Sequence, residues 1–235
     1  MNRRVWLLVI LVALALSGCA SSGFSPLEAE EPCDACQRAA LPETGSAWRD
    51  GRAICEECRA SAVVDLEEAT GILEEAREAL VDAIGAEVVV EVGLRLADSE
   101  DLLAAAGDLA HPRLRAFCQI RETFQGETLV KRTFTIQVLR ALPEDLLRGI
   151  LAHELFHVWQ TEGGAPEDAR SEWREGSANW AQWEVHRDRG EDFWAMRIEQ
   201  DPDPIYGAGF RKFHRLAEQL GTPGVLERVL HRRGF

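Results

Sequence analysis

The sequence is short of positive charge and of long apolar runs. It carries 26 Lys and Arg against 40 Asp and Glu, which gives a formal net charge of −14. A surface of that sign repels phosphate backbones, so we expect no nucleic acid partner. The apolar run at residues 5–16 has only twelve residues, whereas a helix that spans a membrane needs about 20. The chain outside this apolar run is long enough for one globular domain and a small accessory module.

The amino terminus has the pattern of a bacterial export signal. Two arginines precede the apolar run, and Leu16-Ser17-Gly18-Cys19 resembles a lipobox. We expect residues 1–19 to act as a lipoprotein signal peptide, with a lipid on Cys19 that anchors the chain to a membrane. No Asp follows the cysteine, which favours the periplasmic face of the outer membrane in the bacterial cell envelope. Residues 20–31 are then a polar tether. The alternative is an ordinary secretory signal with an incidental cysteine.

Two Cys-x-x-Cys pairs, eighteen residues apart, lie within residues 32–61. This spacing is typical of four thiolates that hold one zinc ion, and closed tetrahedral coordination implies a structural role. Two disulfides are the alternative, because an exported chain reaches an oxidising compartment. Cys118 stands apart, and we expect it to be a small buried side chain in a strand. The ligands of this predicted four-cysteine module are Cys33, Cys36, Cys55 and Cys58.

The motif that decides the functional interpretation is His153-Glu154-Leu155-Phe156-His157. It is a His-Glu-x-x-His pattern in a segment that is predicted to be helical. Residues four apart lie one above the other on a helix, so both imidazoles can reach one metal ion. Glu154 is rotated by about 100° from His153, beside the ion, where it can act as a general base for a water molecule. A surface helix with these residues by chance is the alternative, and the apolar surroundings argue against it.

A second helix is predicted to supply the third metal ligand. Catalytic zinc sites take three protein ligands and leave one position for water. Residues 169–189 have a helical pattern, and Glu175 lies on that helix 18 residues after the second histidine. We choose Glu175 because Gly176 beside it would let the two helices approach closely. Glu172 and His186 share the same helix face, and they are the alternatives, as ligands or as partners of a ligand imidazole.

The rest of the chain predicts an α+β architecture. Segments rich in Val, Ile, Leu and Thr predict antiparallel strands, and the segments around them predict helices. We assign residues 62–235 to one zinc-binding domain, in which strands precede the motif helix and a helical half follows it. The strands are expected at 87–96, 114–123 and 128–139, and the helices at 62–85, 143–163, 169–189, 192–200 and 206–232.

Two residues of the helical half are candidates for stabilising a transition state. Tyr206 is the only tyrosine in the chain, and a phenol near the metal could donate a hydrogen bond to the oxyanion formed in peptide hydrolysis. His214 is the alternative for that role. A purely structural aromatic side chain is the alternative interpretation of Tyr206.

Together with its flanks, the motif resembles the active-site helix of a known family. Residues 153–159 are similar to that helix in the DA-one-like peptidases, the LIM-domain metallopeptidases of plant organ-size control. The similarity extends to Arg174-Glu175-Gly176, Tyr206-Gly207 and Gly209-Phe210-Arg211. It implies a gluzincin-like metallopeptidase domain, in which Glu175 joins the two motif histidines as a zinc ligand. A full LIM domain has two zinc fingers, whereas this chain has one set of four cysteines, so we expect a half-LIM or zinc-ribbon module.

These features together predict a zinc-dependent peptidase with a lipid anchor. One zinc ion would be catalytic and a second would be structural, and the substrate would be a protein or a peptide. The alternative from another class is a non-catalytic zinc-binding lipoprotein that uses the cysteine module to bind a partner. A zinc hydrolase that acts on a non-peptide amide is a third hypothesis.

Overall fold

An amino-terminal module of very short elements carries the paired cysteines. The computed structural model describes residues 23–165 and 172–231. The elements of the module are β1 (Phe24–Pro26), β2 (Glu31–Pro32), β3 (Ala39–Ala40), β4 (Ser46–Trp48), β5 (Ala53–Ile54) and α1 (Glu56–Ala60). Strands β1, β4 and β5 form one antiparallel sheet, and β2 pairs with β3. Strands this short bury little apolar surface, so the inward-facing cysteines make up much of the interior of the module.

The predicted tether overlaps with this module. Strand β1 lies within residues 20–31 and pairs with β4, and Phe24 packs edge-on against Trp48 with ring centroids 4.7 Å apart. From residue 24 onward, an aromatic contact and a strand pair hold the predicted tether against the module. The predicted signal peptide and Cys19 lie outside the described residues. Within the described ranges, no helix is both long enough and apolar enough to cross a bilayer.

A helix and a three-stranded sheet follow the module. The elements are β6 (Ala62–Val63), α2 (Leu66–Ile84), β7 (Val92–Ala97), α3 (Ser99–Ala106), β8 (Ala116–Gln125) and β9 (Thr128–Leu139). The carboxylate of Asp65 caps α2 by accepting hydrogen bonds from two backbone N–H groups of its first turn, and Gly85, with a φ of 75°, ends the helix. Helix α3 is absent from the predicted elements, although Asp98 precedes it and acidic residues occupy its first turn.

The sheet has the strand order β7-β9-β8. Strands β8 and β9 form the predicted antiparallel hairpin, with Gly126 at a φ of 65° in its turn. The expectation of a wholly antiparallel sheet is wrong for β7, which pairs with β9 in parallel. The reason is topological. Strand β8 runs opposite to β7 at the far edge, and the hairpin then turns back into the gap between them, so β9 has the direction of β7.

The carboxyl-terminal half is helical, as predicted. Strand β10 (Leu142–Pro143) pairs with β6 and leads into α4 (Glu144–Glu162), which packs between α2 and α5 (Glu172–Asp188). Nearly every side chain of α4 is buried, including the apolar residues around the motif, Leu147, Leu151, Leu155 and Val158. The last helices are α6 (Asp192–Glu199) and α7 (Tyr206–His231), and α7 is kinked at Gly221, ahead of Pro223. The described part of the chain is therefore a mixed α+β fold.

Gly176 allows two helices to approach closely, but its partner is α7. A Cβ atom on Gly176 would lie 2.4 Å from the Cα atom of Gly209, and one on Gly209 would lie 2.5 Å from the carbonyl oxygen of Glu172. Both distances are shorter than any packing contact, so this glycine pair fixes the crossing of α5 and α7. The expectation that Gly176 faces α4 is wrong, because the separation of helices along the chain does not determine which of them are neighbours.

Candidate metal centre and its cleft

Two histidines of α4 and one glutamate of α5 place three ligand atoms around a single point. The Nε2 atoms of His153 and His157 are 3.1 Å apart. Each of them lies 3.3 Å from Oε2 of Glu175. In a tetrahedral zinc site, ligand atoms at about 2.05 Å from the ion lie about 3.3 Å from one another. The donor types and their spacing therefore fit a divalent ion such as zinc, and all three side chains are buried.

The electrostatics of Glu175 are consistent with a ligand role. Burial by itself would raise the pKa of this carboxyl group, but the neighbouring imidazoles of His157 and His153 lower the pKa overall. The group is therefore a carboxylate at neutral pH. A buried carboxylate requires a positive partner, and a bound cation at this point would provide one.

Gln160 contacts the cluster on the side away from the ligand atoms, in a role that no sequence motif predicts. Its Oε1 atom accepts a hydrogen bond from Nδ1 of His157 at 2.8 Å, while its Nε2 atom donates to Oγ of Ser177 at 2.8 Å. With Gln160 as acceptor, the proton of the His157 ring is on Nδ1, and the lone pair of Nε2 is left for an ion. The available signal was positional, because Gln160 is a polar residue three positions after a ligand, on a helix that is otherwise apolar.

Glu154 lies beside the three ligand atoms, between α4 and the edge of the sheet. Burial raises its pKa to about 7, the charge of Glu175 adds to the increase, and His153 together with the backbone N–H of Cys118 opposes it. The hydrogen bond from Cys118 shows that the outer edge of β8 faces this carboxyl group. A carboxyl group with a pKa near neutrality is suited to accept and return a proton.

The two alternatives for the third ligand lie elsewhere. Glu172 forms an ion pair with Lys212 of α7. The ring of His186 is fully buried, and its Nδ1 atom lies 2.6 Å from Oε2 of Glu191. A Cβ atom on Gly149 would lie 2.1 Å from Nε2 of His186, so this ring packs directly on the backbone of α4. Glu172 and His186 are therefore structural, and neither belongs to the three-residue cluster.

A buried arginine of α4, Arg148, connects the His186–Glu191 pair to helix α2. The Arg148 side chain is 2% exposed, and it donates hydrogen bonds to Glu191 at 2.7 Å and to Glu75 of α2 at 3.0 Å. Two acidic residues of the first turn of α4 complete its surroundings. This network connects α2, α4 and the start of α6, so it holds the motif helix in position.

Tyr206 and His214 have different surroundings. Tyr206 lines the cleft in front of the cluster, and its ring centroid is 6.4 Å from that of His153. His214 packs between Trp183 and Phe210, with ring centroids at 4.7 and 5.5 Å, and it does not line the cleft. Of the two candidates for an oxyanion contact, the geometry favours Tyr206.

The cluster opens into a cleft of about 1570 Å³. Strand β8 and helices α4, α5 and α6 contribute to its walls, and residues of the cysteine module line one end. There Nη2 of Arg115 donates hydrogen bonds to the carbonyl oxygens of Asp34 and Ala35 at 2.9 and 3.0 Å. Asp34 and Ala35 lie between the cysteines of the first pair, so Arg115 ties the module to the start of β8.

The four cysteines form a second cluster. Their sulfur atoms lie within 4.8 Å of one another, and those of Cys36 and Cys55 are 3.6 Å apart. Sulfur atoms around one tetrahedral zinc ion lie about 3.8 Å apart, whereas a disulfide requires about 2.05 Å. A hydrogen bond from the Cys58 thiol, together with hydrogen bonds from backbone N–H groups, lowers the pKa of Cys33 to about 4, and the same contact with Cys33 raises the pKa of Cys58. All four thiols are free, and this geometry fits zinc better than two disulfides.

Cys118 lies in β8 as expected, but it is only partly buried and lines the cleft. Burial raises the pKa of its thiol to about 12, so the side chain is neutral at physiological pH. Its contact with the site is the hydrogen bond that its backbone N–H donates to Glu154. No pattern in the sequence indicates that contact.

Comparison with known proteins adds to these observations. The chain is 26% identical to Protein DA1-related 2 of Arabidopsis thaliana over 77% of its length, and 24% identical to Protein DA1 of the same plant over 86%. These matches support a DA1-like relationship. The chain spans about half the length of the curated relatives it matches, 46% of the first and 49% of the second. No family profile matches the chain, and no solved structure matches it.

Proposed function

We propose that the chain is a zinc-dependent peptidase with a gluzincin-like catalytic domain. The observation that supports this most strongly is the cluster of His153, His157 and Glu175 at an open cleft, with Glu154 beside it. Three protein ligands and one open side are the pattern of catalytic zinc sites, whereas structural sites are closed by four ligands. The DA1-like similarity supports the same class of protein.

The residues around the cluster have complementary roles in peptide hydrolysis. Zinc held by the three ligands would make water more acidic and would polarise the carbonyl group of the scissile bond. Glu154 would take a proton from the attacking water and deliver it to the nitrogen that leaves. The hydroxyl of Tyr206 would donate a hydrogen bond to the carbonyl oxygen as that oxygen gains negative charge. Gln160 would keep the ring of His157 in the orientation that binds the ion.

The shape of the cleft supports a protein or peptide substrate. Strand β8 is an edge strand of its sheet, and the outer edge of such a strand has backbone groups that can pair with another extended chain. Residues Ala116, Phe117 and Cys118 of this strand line the cleft. A peptide that lies along β8 would therefore pass Glu154 and the ligand cluster in an extended conformation.

The remaining parts of the proposal concern the second metal site and the location. The cysteine cluster supports a structural zinc ion in the amino-terminal module. The lipobox-like pattern at Cys19 supports export, lipid attachment and a position at the bacterial outer membrane. The net charge of −14 supports a function without nucleic acid.

The direct test of this function is the substitution Glu154→Gln. The zinc-loaded wild-type protein should cleave members of a fluorogenic peptide mixture, and the variant should bind the same amount of zinc but cleave about 10²- to 10⁴-fold more slowly. The amide cannot accept the proton, which is the reason for the loss. Equal rates would contradict the mechanism. A wild-type protein that binds two zinc ions yet cleaves no peptide would favour the non-catalytic binding protein or an amide hydrolase with another substrate.

A further inference from the structure

A row of polar side chains continues along α5 beyond the metal ligand. Glu175, Asn179, Gln182 and His186 follow one another at intervals of three or four residues, which places them on one face of the helix. All four line the cleft, and none is more than 9% exposed. Glu175 belongs to the ligand cluster, and His186 is held by Glu191. The two carboxamides between them have no role in the mechanism described above.

Asn179 is the member of this row whose hydrogen-bonding groups are left unused. Its side chain is 8% exposed, and its carboxamide has no hydrogen-bond partner among residues 23–165 and 172–231. Gln182 differs, because its Nε2 atom lies 3.5 Å from Nε2 of His186. The polar atoms of this carboxamide are not fully buried, so they face the open cleft, where a ligand can replace solvent as their hydrogen-bond partner. Because Asn179 lines the cleft, a molecule bound there is in a position to be that partner.

We propose that Asn179 binds the main chain of the substrate within two residues of the scissile bond. This inference rests on the proposed peptidase function. A carboxamide presents a C=O and an N–H group side by side, which match the N–H and C=O groups of a peptide. Asn179 lies one helical turn from Glu175, about 6 Å along α5, and an extended peptide advances about 3.3 Å per residue. The peptide group that meets Asn179 is therefore at most two residues from the bond that is cut.

This contact complements the pairing expected at the other wall of the cleft. An extended peptide has backbone groups on both of its edges, and β8 can satisfy only one edge. Asn179 projects from α5, which lines the cleft together with β8. Because it would recognise backbone groups, its contribution to binding should be nearly independent of the side chain that the substrate carries at that position.

The competing role for Asn179 is structural. A carboxamide one turn from a ligand could orient the ring of His153 once an ion is bound, and it would then act on metal affinity and not on substrate affinity. The two roles differ in what a substitution changes. Loss of a substrate contact weakens peptide binding at unchanged metal content, whereas loss of a positioning contact releases the metal.

The test compares peptide binding with and without the carboxamide, in a protein that does not turn over. The probe is a fluorescent peptide that the wild-type protein cleaves, taken from a random mixture, together with a set in which each backbone nitrogen near the scissile bond is methylated in turn. Binding to zinc-loaded Glu154→Gln is compared with binding to Glu154→Gln combined with Asn179→Ala. The control adds Asp188→Asn instead, at an exposed position on the same helix and outside the cleft.

The expected result is a selective loss of affinity. Asn179→Ala should weaken binding of the parent peptide about tenfold, with zinc content and the Asp188→Asn control unchanged. One methylated peptide, modified within two residues of the scissile bond, should lose affinity for Glu154→Gln but lose nothing further in the double variant. Unchanged affinity, losses that add at every methylated position, or released zinc would overturn the inference and leave the peptidase proposal intact. A wild-type protein that cleaves no peptide would overturn both.

Discussion

The two clusters of potential metal ligands are both buried, but they are built in different ways. The cysteine cluster takes four sulfur donors from a module whose strands are two or three residues long. The histidine cluster takes three donors from two helices of 19 and 17 residues, and its open side faces the cleft. Four donors leave no room for a substrate, whereas three do. The donor count and the surroundings therefore support the proposed structural role of the cysteine cluster and the proposed catalytic role of the histidine cluster.

The packing that holds the ligand residues in place also differs between the two clusters. Helix α4 is packed against α2, α5 and β8, so the motif histidines keep their positions through apolar packing and the Arg148 network. The cysteine module has no comparable interior of its own. A metal ion should thus hold the module together, while the helical cluster should be formed before an ion arrives. Substitutions in and around each cluster can test both sides of this contrast.

We expect the substitution Cys58→Ser in the cysteine cluster to have the largest effect on stability. Binding of structural zinc contributes about 10–16 kcal/mol in small zinc-dependent peptides, so losing one ligand should unfold the module. Limited proteolysis should then cut within residues 32–61, while circular dichroism shows the helices retained. Cys118→Ser, which removes a thiol outside the cluster, is the control. A module that resists proteolysis in Cys58→Ser would show that its fold does not depend on the metal.

We expect a smaller effect on stability from a substitution at the crossing of α5 and α7, which supports the histidine cluster. Gly176→Ala would bring a Cβ atom within 2.4 Å of the Gly209 backbone, and we expect it to lower the free energy of unfolding by about 3 kcal/mol. The control is Gly71→Ala in α2, where an added Cβ has nothing within 4 Å and should stabilise the protein slightly. Urea unfolding measures both. If the two variants were equally stable, the crossing of α5 and α7 would not be tight.

We expect the smallest effect on stability from a substitution in the Arg148 network, at Glu191. Burial raises the pKa of Glu191, but the hydrogen bond with His186 and the charge of Arg148 lower it below the usual 4.5 overall. A carboxyl group whose pKa is lowered by folding stabilises the protein above its unfolded pKa, and this contribution disappears as the pH falls through the folded pKa.

Glu191→Gln should therefore lower the free energy of unfolding by about 1 kcal/mol at pH 7, because Arg148 keeps its other carboxylates. The difference from wild type should shrink progressively below pH 4.5, the ordinary value for this group. Thermal unfolding between pH 7 and pH 3.5 measures it. A difference that is constant with pH would mean that Glu191 does not act through its charge.

Local geometry explains which parts of the site could be predicted from the sequence. The stacking of His153 and His157 follows from helix periodicity, and a third ligand on the next helix follows from the three-ligand rule of catalytic zinc sites. The resemblance to the DA-one-like peptidases favours Glu175 over the other candidates on that helix. The apolar pattern and turn residues such as Gly126 indicate the bounds of α4 and of the β8–β9 hairpin. These features depend on residues close together in the chain, so a sequence pattern is sufficient to predict them.

The features that were missed depend on contacts between distant segments. The partner of Gly176 is Gly209, more than thirty residues away, and nothing in the spacing distinguishes α7 from α4 as its neighbour. The parallel pairing of β7 depends on how the hairpin inserts into the sheet. Gln160 and the backbone N–H of Cys118 acquire their roles only when α5 and β8 pack against α4. Such contacts become visible in the folded chain.

Metal content measured by mass spectrometry tests the central contrast most directly. The purified wild-type protein should bind two zinc ions per chain, and His153→Ala should bind one while keeping its fold, because the closed cluster is unaffected. If the wild-type protein bound one zinc ion and His153→Ala bound the same number, the assignment of a metal centre to the histidine cluster would be contradicted.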